Sequence, residues 1–470
     1  MKKIRKFVTR GILCFLLYLF LGICLSYARQ PRVSQEYQDA FQPADFYSDT
    51  VSCDRACIIE DNEEALELRL RMIAQARERI VLSTFEFRAD ESGKDILSAL
   101  MAAAKRGVEV KILADGASVY LQMYRNPYFC ALSTMENVEI KIYNRVNPLL
   151  PWTTMGRLHD KYLLIDDYAY LLGGRNTYDY FLGDNGYKNY DRDVLVYCTE
   201  PGSAESSVGQ LEDYFSGVWQ QKECRLFYDN PKNARRSSVA AAAEELEDRY
   251  RTLWEEYGLD QEPDYQGMTF ETEKITLLTN PTHIYAKEPW IFYSLAELMK
   301  DTKGEILIHT PDVICNDWMY DSFREICKQN PEVSLLTNSA ANNGNPFGAA
   351  DYRMNRDKLL DTGLTLYEYE GGVPYHGKSI VMGEELSAVG SFNMDMRSVY
   401  LDTEMMLVID SREVTAQLKE YLTAYEEESV KVLPDGTREI PEGVTPQELT
   451  GKRKILVFLV GLFDWLRFLM

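Results

Sequence analysis

The chain is 470 residues long, more than one ordinary domain needs, so two domains are the starting expectation. Hydrophobic residues make up 46% and charged residues 26%, which excludes a disordered or fibrous chain. Acids outnumber bases 73 to 51, for a net charge of −22, and the first thirty residues hold six Lys/Arg and no acid, so the rest is more acidic still. Such a body repels polyanions, which argues against nucleic acid as a partner.

Residues 1–28 read as a membrane anchor or signal segment. A basic flank from Met1 to Arg10 precedes the uncharged run Gly11 to Ala28. At ~1.5 Å per residue that run reaches roughly 27 Å, enough to cross a hydrocarbon core. The flank predicts a cell-membrane location with the body on the extracytoplasmic side. Ser26-Tyr27-Ala28 also fits a cleavage site, so a removable leader stays open. Residues 29–60 are polar and aperiodic and read as a tether. Nine cysteines form no paired C-x-x-C units, so no metal site is expected, while Cys53 and Cys57 suit either a disulfide, if the body is exported, or two free thiols.

The chain then makes one statement twice. Residues 61–230 and 269–430 each run helix, apolar strand, helix, apolar strand, a pattern of α/β layers from an internal duplication. The strands Arg79–Thr84 and Val108–Asp115 answer to Glu305–Thr310 and Glu332–Thr337. Between the halves, residues 231–268 read as a helical connector, Ala/Glu/Arg-rich from Asn233 to Glu256. The tail, 431–470, ends in Lys452-Arg453-Lys454 and a 16-residue apolar stretch, short for a span; Gly461, Asp464 and Arg467 on one stripe suit an amphipathic helix lying in the membrane interface. A helix docked on the protein's own core is the alternative.

The third repeated block carries the chemistry. His159, Lys161, Gly173 and Asn176 recur as His376, Lys378, Gly390 and Asn393, with the lysine two, the glycine fourteen and the asparagine seventeen residues after the histidine. Two of only four histidines thus occupy one repeated frame. On a strand, residues i and i+2 face the same side, and a turn near Asp166 or Gly383 brings the asparagine back beside them. Asp166, seven residues on, has the opposite parity and a structural role. Two such hairpins around one volume would set lysine and amide donors about a tetrahedral anion; one imidazole attacks and the other shuttles protons. No metal or other cofactor is needed.

This pattern resembles the phospholipase D superfamily, whose motif is His-x-Lys followed by four residues and Asp, with a downstream Gly-Gly/Ser-x-Asn. The first copy matches in full; in the second, Gly383 stands where the motif has Asp. The segments Leu336–Ser339, Gly363–Tyr369, Gly390–Ser398 running on to Glu404, Tyr190–Val194 and Phe215–Trp219 resemble bacterial cardiolipin synthases. The resemblance implies two phospholipase D-like α/β domains, each a mixed sheet flanked by helices, packed pseudo-symmetrically about one active site, plus the terminal membrane-associated helices. It further implies a phosphohistidine intermediate formed on a phospholipid phosphodiester, with a phosphatidylglycerol-like donor and an alcohol or phospholipid acceptor. His159 is then the nucleophile and His376 the general acid/base. Lys161, Lys378, Asn176 and Asn393, with Ser391, bind phosphate, and Asp193 and Glu404 orient the imidazoles. A hydrolase passing the phosphatidyl group to water, or a nuclease of the same superfamily, are the neighbouring readings. Gly383 alone motivates a non-catalytic binding module.

Overall fold

The computed structural model describes residues 2–227 and 235–470. It contains two nine-stranded mixed sheets flanked by helices. In the first, the spatial order is 225–226, 138–143, 109–115, 79–84, 162–165, 169–173, 193–198, 54–59 and 270–271. In the second it is 274–279, 405–410, 386–390, 379–382, 306–309, 333–338, 365–369, 429–432 and 438–439. Both centre on the same six strands: three parallel strands, then an antiparallel hairpin, then an antiparallel strand beside it.

The near-continuous apolar strands follow from burial on both faces. Ile80 and Leu82 point into the first half's helices, while Val81 between them joins a core shared by the two halves. In that shared core Ile58, Leu164, Leu172 and Val194 meet Leu307, Val381, Val389 and Leu407, so the sheets pack face to face. The interface between the duplicates is therefore as apolar as a domain interior.

Each hairpin turns through a residue in the left-handed region, Asp166 (φ 50°) in the first and Gly383 (φ 69°) in the second. Both amides donate outward in the same way, Asp166 to the Arg79 carbonyl and Gly383 to the Glu305 carbonyl, each at 2.9 Å. In the first half the carboxylate also accepts from the amides of Arg77, Glu78 and Arg79.

Three sequence expectations change. Residues 29–60 are no free tether: Tyr37 stacks on Trp290 at 4.8 Å, Phe46 is buried in the second half's core, and Asp54–Ile59 is a strand of the first half's sheet. The connector is part of the first half, because Ser237–Glu256 buries Leu246 and Leu253 in that core. The expected boundary at 230/231 lies outside the described residues. Cys53 and Cys57 do not pair; four residues along an extended strand are roughly 13 Å apart, and both thiols are free. The Cys53 sulfur instead lies within 4.8 Å of the Cys198 sulfur, on the neighbouring strand.

Candidate active site

The two histidines open onto one cavity of about 600 Å³ between the halves. Its walls include Asn176, Asn393, Arg157, Arg397 and the aromatic rings of Phe85, Tyr178 and Phe181. His159 and His376 each precede the first strand of their hairpin. The ring of His159 packs edge-on against Phe85 and that of His376 lies tilted against Phe181, with centroids 5.5 and 4.9 Å apart.

Each imidazole takes its partner from the other half. His159 Nδ1 lies 2.7 Å from Glu404 Oε1, and His376 Nδ1 lies 2.6 Å from Asp191 Oδ2. Short parallel bridges hold these crossings: Leu158 pairs with Thr403, and Tyr190 with Tyr375. The His376 amide donates to the Tyr190 carbonyl at 2.6 Å, and the Thr403 amide to the Arg157 carbonyl at 2.9 Å. With Nδ1 engaged, Nε2 of His159 is left for the cavity, while Nε2 of His376 lies 3.3 Å from Lys378 Nζ.

Asp193, expected as an imidazole partner, is not at the site; it is buried between Arg69 (2.8 Å) and Arg175 (3.3 Å). The carboxylate that meets His376 is that of Asp191, and sheet register explains the offset. Gly173 pairs with Asp193, whereas Gly390 pairs with Met406, so two residues back in each strand lie Asp191 and Glu404. The structural counterpart of Glu404 was thus legible only with the pairing in hand.

The remaining frame residues gather here too. Lys161 donates to the His159 carbonyl at 2.5 Å, and Lys378 Nζ lies 2.6 Å from His376 Nδ1. Asn176 accepts from the Glu86 amide at 3.1 Å, while the Asn393 side-chain oxygen is buried without a partner among the described residues. Ser391 and Ser398 hydroxyls both donate to Glu404. At the position matching Ser391 stands Gly174, where a Cβ would fall 2.3 Å from the Asp191 carboxylate. One half uses the space for a hydroxyl, the other for the carboxylate itself.

Electrostatics differ between the two crossings. Burial, joined by Lys161, holds His159 well below its ordinary range, and burial pushes Glu404 up to about 8. Burial, joined by Lys378, lowers His376 to about 4. Burial alone would raise Asp191, but Lys378 and His376 outweigh it and hold this carboxyl well below the usual range. Burial also lowers Lys161 to about 7, with Lys378 adding to the effect, and burial lowers Lys378 against the pull of Asp191 and Glu404. The buried lysines face the buried carboxyl groups of Asp191 and Glu404, with Lys378 Nζ 3.8 Å from Asp191 Oδ2.

Residues 70–219 and 295–425 match the family described as cardiolipin synthase, PLD-like domain. The chain is 26% identical over 369 residues to cardiolipin synthase A of Serratia proteamaculans, covering 77% of this chain and 67% of that protein. It is 25% identical over 377 residues to cardiolipin synthase 1 of Staphylococcus aureus, covering 79% and 66%. An uncharacterised Helicobacter pylori protein is 24% identical over 388 residues, 76% of each chain. The crystal structure of phosphatidylserine synthase from Haemophilus influenzae shares the fold, with a TM-score of 0.63 at 15% identity over 88% of this chain and 95% of that one. Two mixed sheets in duplicate, a repeated His-x-Lys frame at their junction and a family match over more than half the chain lead to one statement: this chain belongs to the phospholipase D-like, cardiolipin synthase family.

Proposed function

We propose that the protein is a membrane-anchored phosphatidyltransferase of the cardiolipin synthase type, acting on phospholipid phosphodiesters through a phosphohistidine. The observation that carries this is the crossed pair of carboxylate-held imidazoles, His159–Glu404 and His376–Asp191, opening on one cavity with two buried lysines.

His159 Nε2 attacks phosphorus and the bond to the leaving glycerol oxygen breaks. His376 gives that oxygen its proton, then takes one from the incoming hydroxyl, whose oxygen displaces His159 and restores both rings. The ionised Asp191 beside His376 favours the charged imidazole against the burial that lowers it, which supports its role as the acid. Lys161, Lys378, Asn176 and Asn393 are assigned to the phosphate oxygens, where charge builds up in the transition state. Ser391 acts through Glu404 rather than on phosphate.

Retention of the N-terminal helix Lys2–Tyr27 is supported by its last residue. Tyr27 is buried, and its hydroxyl donates to the Trp152 carbonyl at 2.7 Å. Cleavage after Ala28 would remove that plug. The anchored body is assigned to the extracytoplasmic side on the strength of the basic flank.

The test is purified full-length protein in phosphatidylglycerol vesicles, with products read by mass spectrometry. The expected products are cardiolipin and glycerol, lost in His159→Ala. Phosphatidic acid as the sole product would replace transfer by hydrolysis; unchanged turnover in His159→Ala would overturn the mechanism.

A further inference from the structure

The N-terminal helix does not leave the body cleanly at Tyr27. It continues to touch the body nine residues earlier: Tyr18 Oη donates to the Leu149 carbonyl at 2.6 Å and its ring meets Trp152 edge-on at 6.4 Å. A Cβ on Gly22 would fall 2.4 Å from Pro151, so loop and helix are in direct contact there. On the other side Phe20 packs edge-on against Trp465, with ring centroids 5.7 Å apart. Two body segments, the loop 146–152 and the C-terminal stretch 455–465, therefore flank the middle of the helix.

Both segments turn apolar side chains outward. In the loop, Val146, Leu149, Leu150 and Trp152 are exposed, Leu149 at 69%. In the C-terminal stretch only Val457 is buried, against Ala349 and Ala350, while Phe458, Leu462, Phe463 and Trp465 remain exposed. The helix Gly451–Gly461 thus docks through Val457 and the partly buried Val460 and leaves most of its apolar side chains exposed.

Depth follows from arithmetic. If Arg10 marks the inner headgroup boundary, Tyr18 to Gly22 lie roughly 12 to 18 Å further along the helix, at ~1.5 Å per residue. The hydrocarbon core is about 30 Å thick, so these residues sit near its middle. Were the loop and C-terminal stretch in water, only about 12 Å of apolar helix would remain to cross the bilayer, less than half of what is needed. The body must come down to meet the lipid.

We propose that loop 146–152 and segment 455–465 are embedded among the acyl chains of the leaflet that faces the body, beside the N-terminal helix. This deepens the proposed function and rests on its anchored reading. It also sets the level of the chemistry. Arg397, on the cavity wall, donates to the carbonyls of Met155 (3.0 Å) and Leu469 (3.2 Å), three and four residues from Trp152 and Trp465. Arg157, on the same wall, is five residues from Trp152. The cavity mouth then lies at headgroup depth, where the phosphodiester of a bilayer-resident lipid reaches the histidines while its acyl chains stay in the membrane.

Full-length protein reconstituted in phosphatidylglycerol vesicles tests this by depth-dependent quenching of tryptophan. With lipids brominated at mid-chain, wild-type emission should be quenched, and Trp152→Phe with Trp465→Phe should remove at least half of the quenchable fraction. Quenching unchanged in the double variant, or quenching only by headgroup-level labels, overturns the proposal. As a second arm, Leu149→Glu with Leu462→Glu should cut turnover of vesicle lipid at least tenfold and leave turnover of a short-chain, micellar substrate unchanged; an equal loss on both overturns it. The quenching arm needs no catalysis, so a protein inert on lipid would sink the proposed function and leave this result standing.

Discussion

Asp191 and His376 come from opposite halves of the chain, 185 residues apart, and their side chains meet at 2.6 Å. Glu404 and His159 repeat the relationship in reverse, at 2.7 Å over 245 residues. The consequence is testable. Asp191→Asn keeps shape but removes the charge that supports imidazolium, and Glu404→Gln replaces the carboxyl group that holds the His159 ring with an amide. Each should lower kcat on phospholipid by about 100-fold with KM little changed. Asp193→Asn, as close in sequence but far from either ring, should leave kcat unchanged in whatever fraction folds.

Lys161 titrates near 7 in the empty site because burial penalises its charge. Below that pH the cation is already present for an anion; above it, binding must also take up a proton. The affinity for tungstate or inorganic phosphate should therefore fall as pH rises from 7 to 9, approaching tenfold per unit. Calorimetry across that range, in two buffers of different ionisation enthalpy, reads both the affinity and the proton.

Gly383 replaces the motif aspartate at a turn whose need is conformational. At φ 69° a Cβ costs about 1 kcal/mol, and here it would also fall 3.1 Å from the Lys303 carbonyl. Gly383→Ala should lower stability by ~1–2 kcal/mol while leaving kcat intact. Chemical denaturation and lipid turnover separate the two effects.

Asp166 has the complementary task. Its carboxylate accepts three successive backbone amides at 2.8–3.0 Å. Asp166→Ala should cost about 2–3 kcal/mol through those orphaned donors, with kcat per folded molecule unchanged. A drop in kcat at full stability would give this residue a part in the chemistry instead.

Much of the site was readable because its spacing repeats. A frame of His, Lys, Gly and Asn with the same offsets in both copies needs no structure to be seen, and the apolar strands between them fix the α/β class. What the sequence hid depends on pairing across distance. Asp193 is the acid two residues too late, and only the register of Gly173 against it reveals that Asp191 holds the equivalent of Glu404's place. The strap 29–60 lacks periodicity because its order comes from outside, from Trp290, Glu288 and the strand 193–198. Gly383 looked like damage to a motif, and the turn's left-handed backbone makes it an alternative solution.

The crossed carboxylates carry an implication for ancestry. A single unit of this kind, standing alone, would own a histidine with nothing to steer it and an acid with nothing to steer. It becomes competent only when a second unit lends its acid in exchange, as in a two-fold dimer. Joining the two in one gene removes the symmetry requirement, and the partners are then free to diverge: aspartate in one crossing and glutamate in the other, a glycine against a serine.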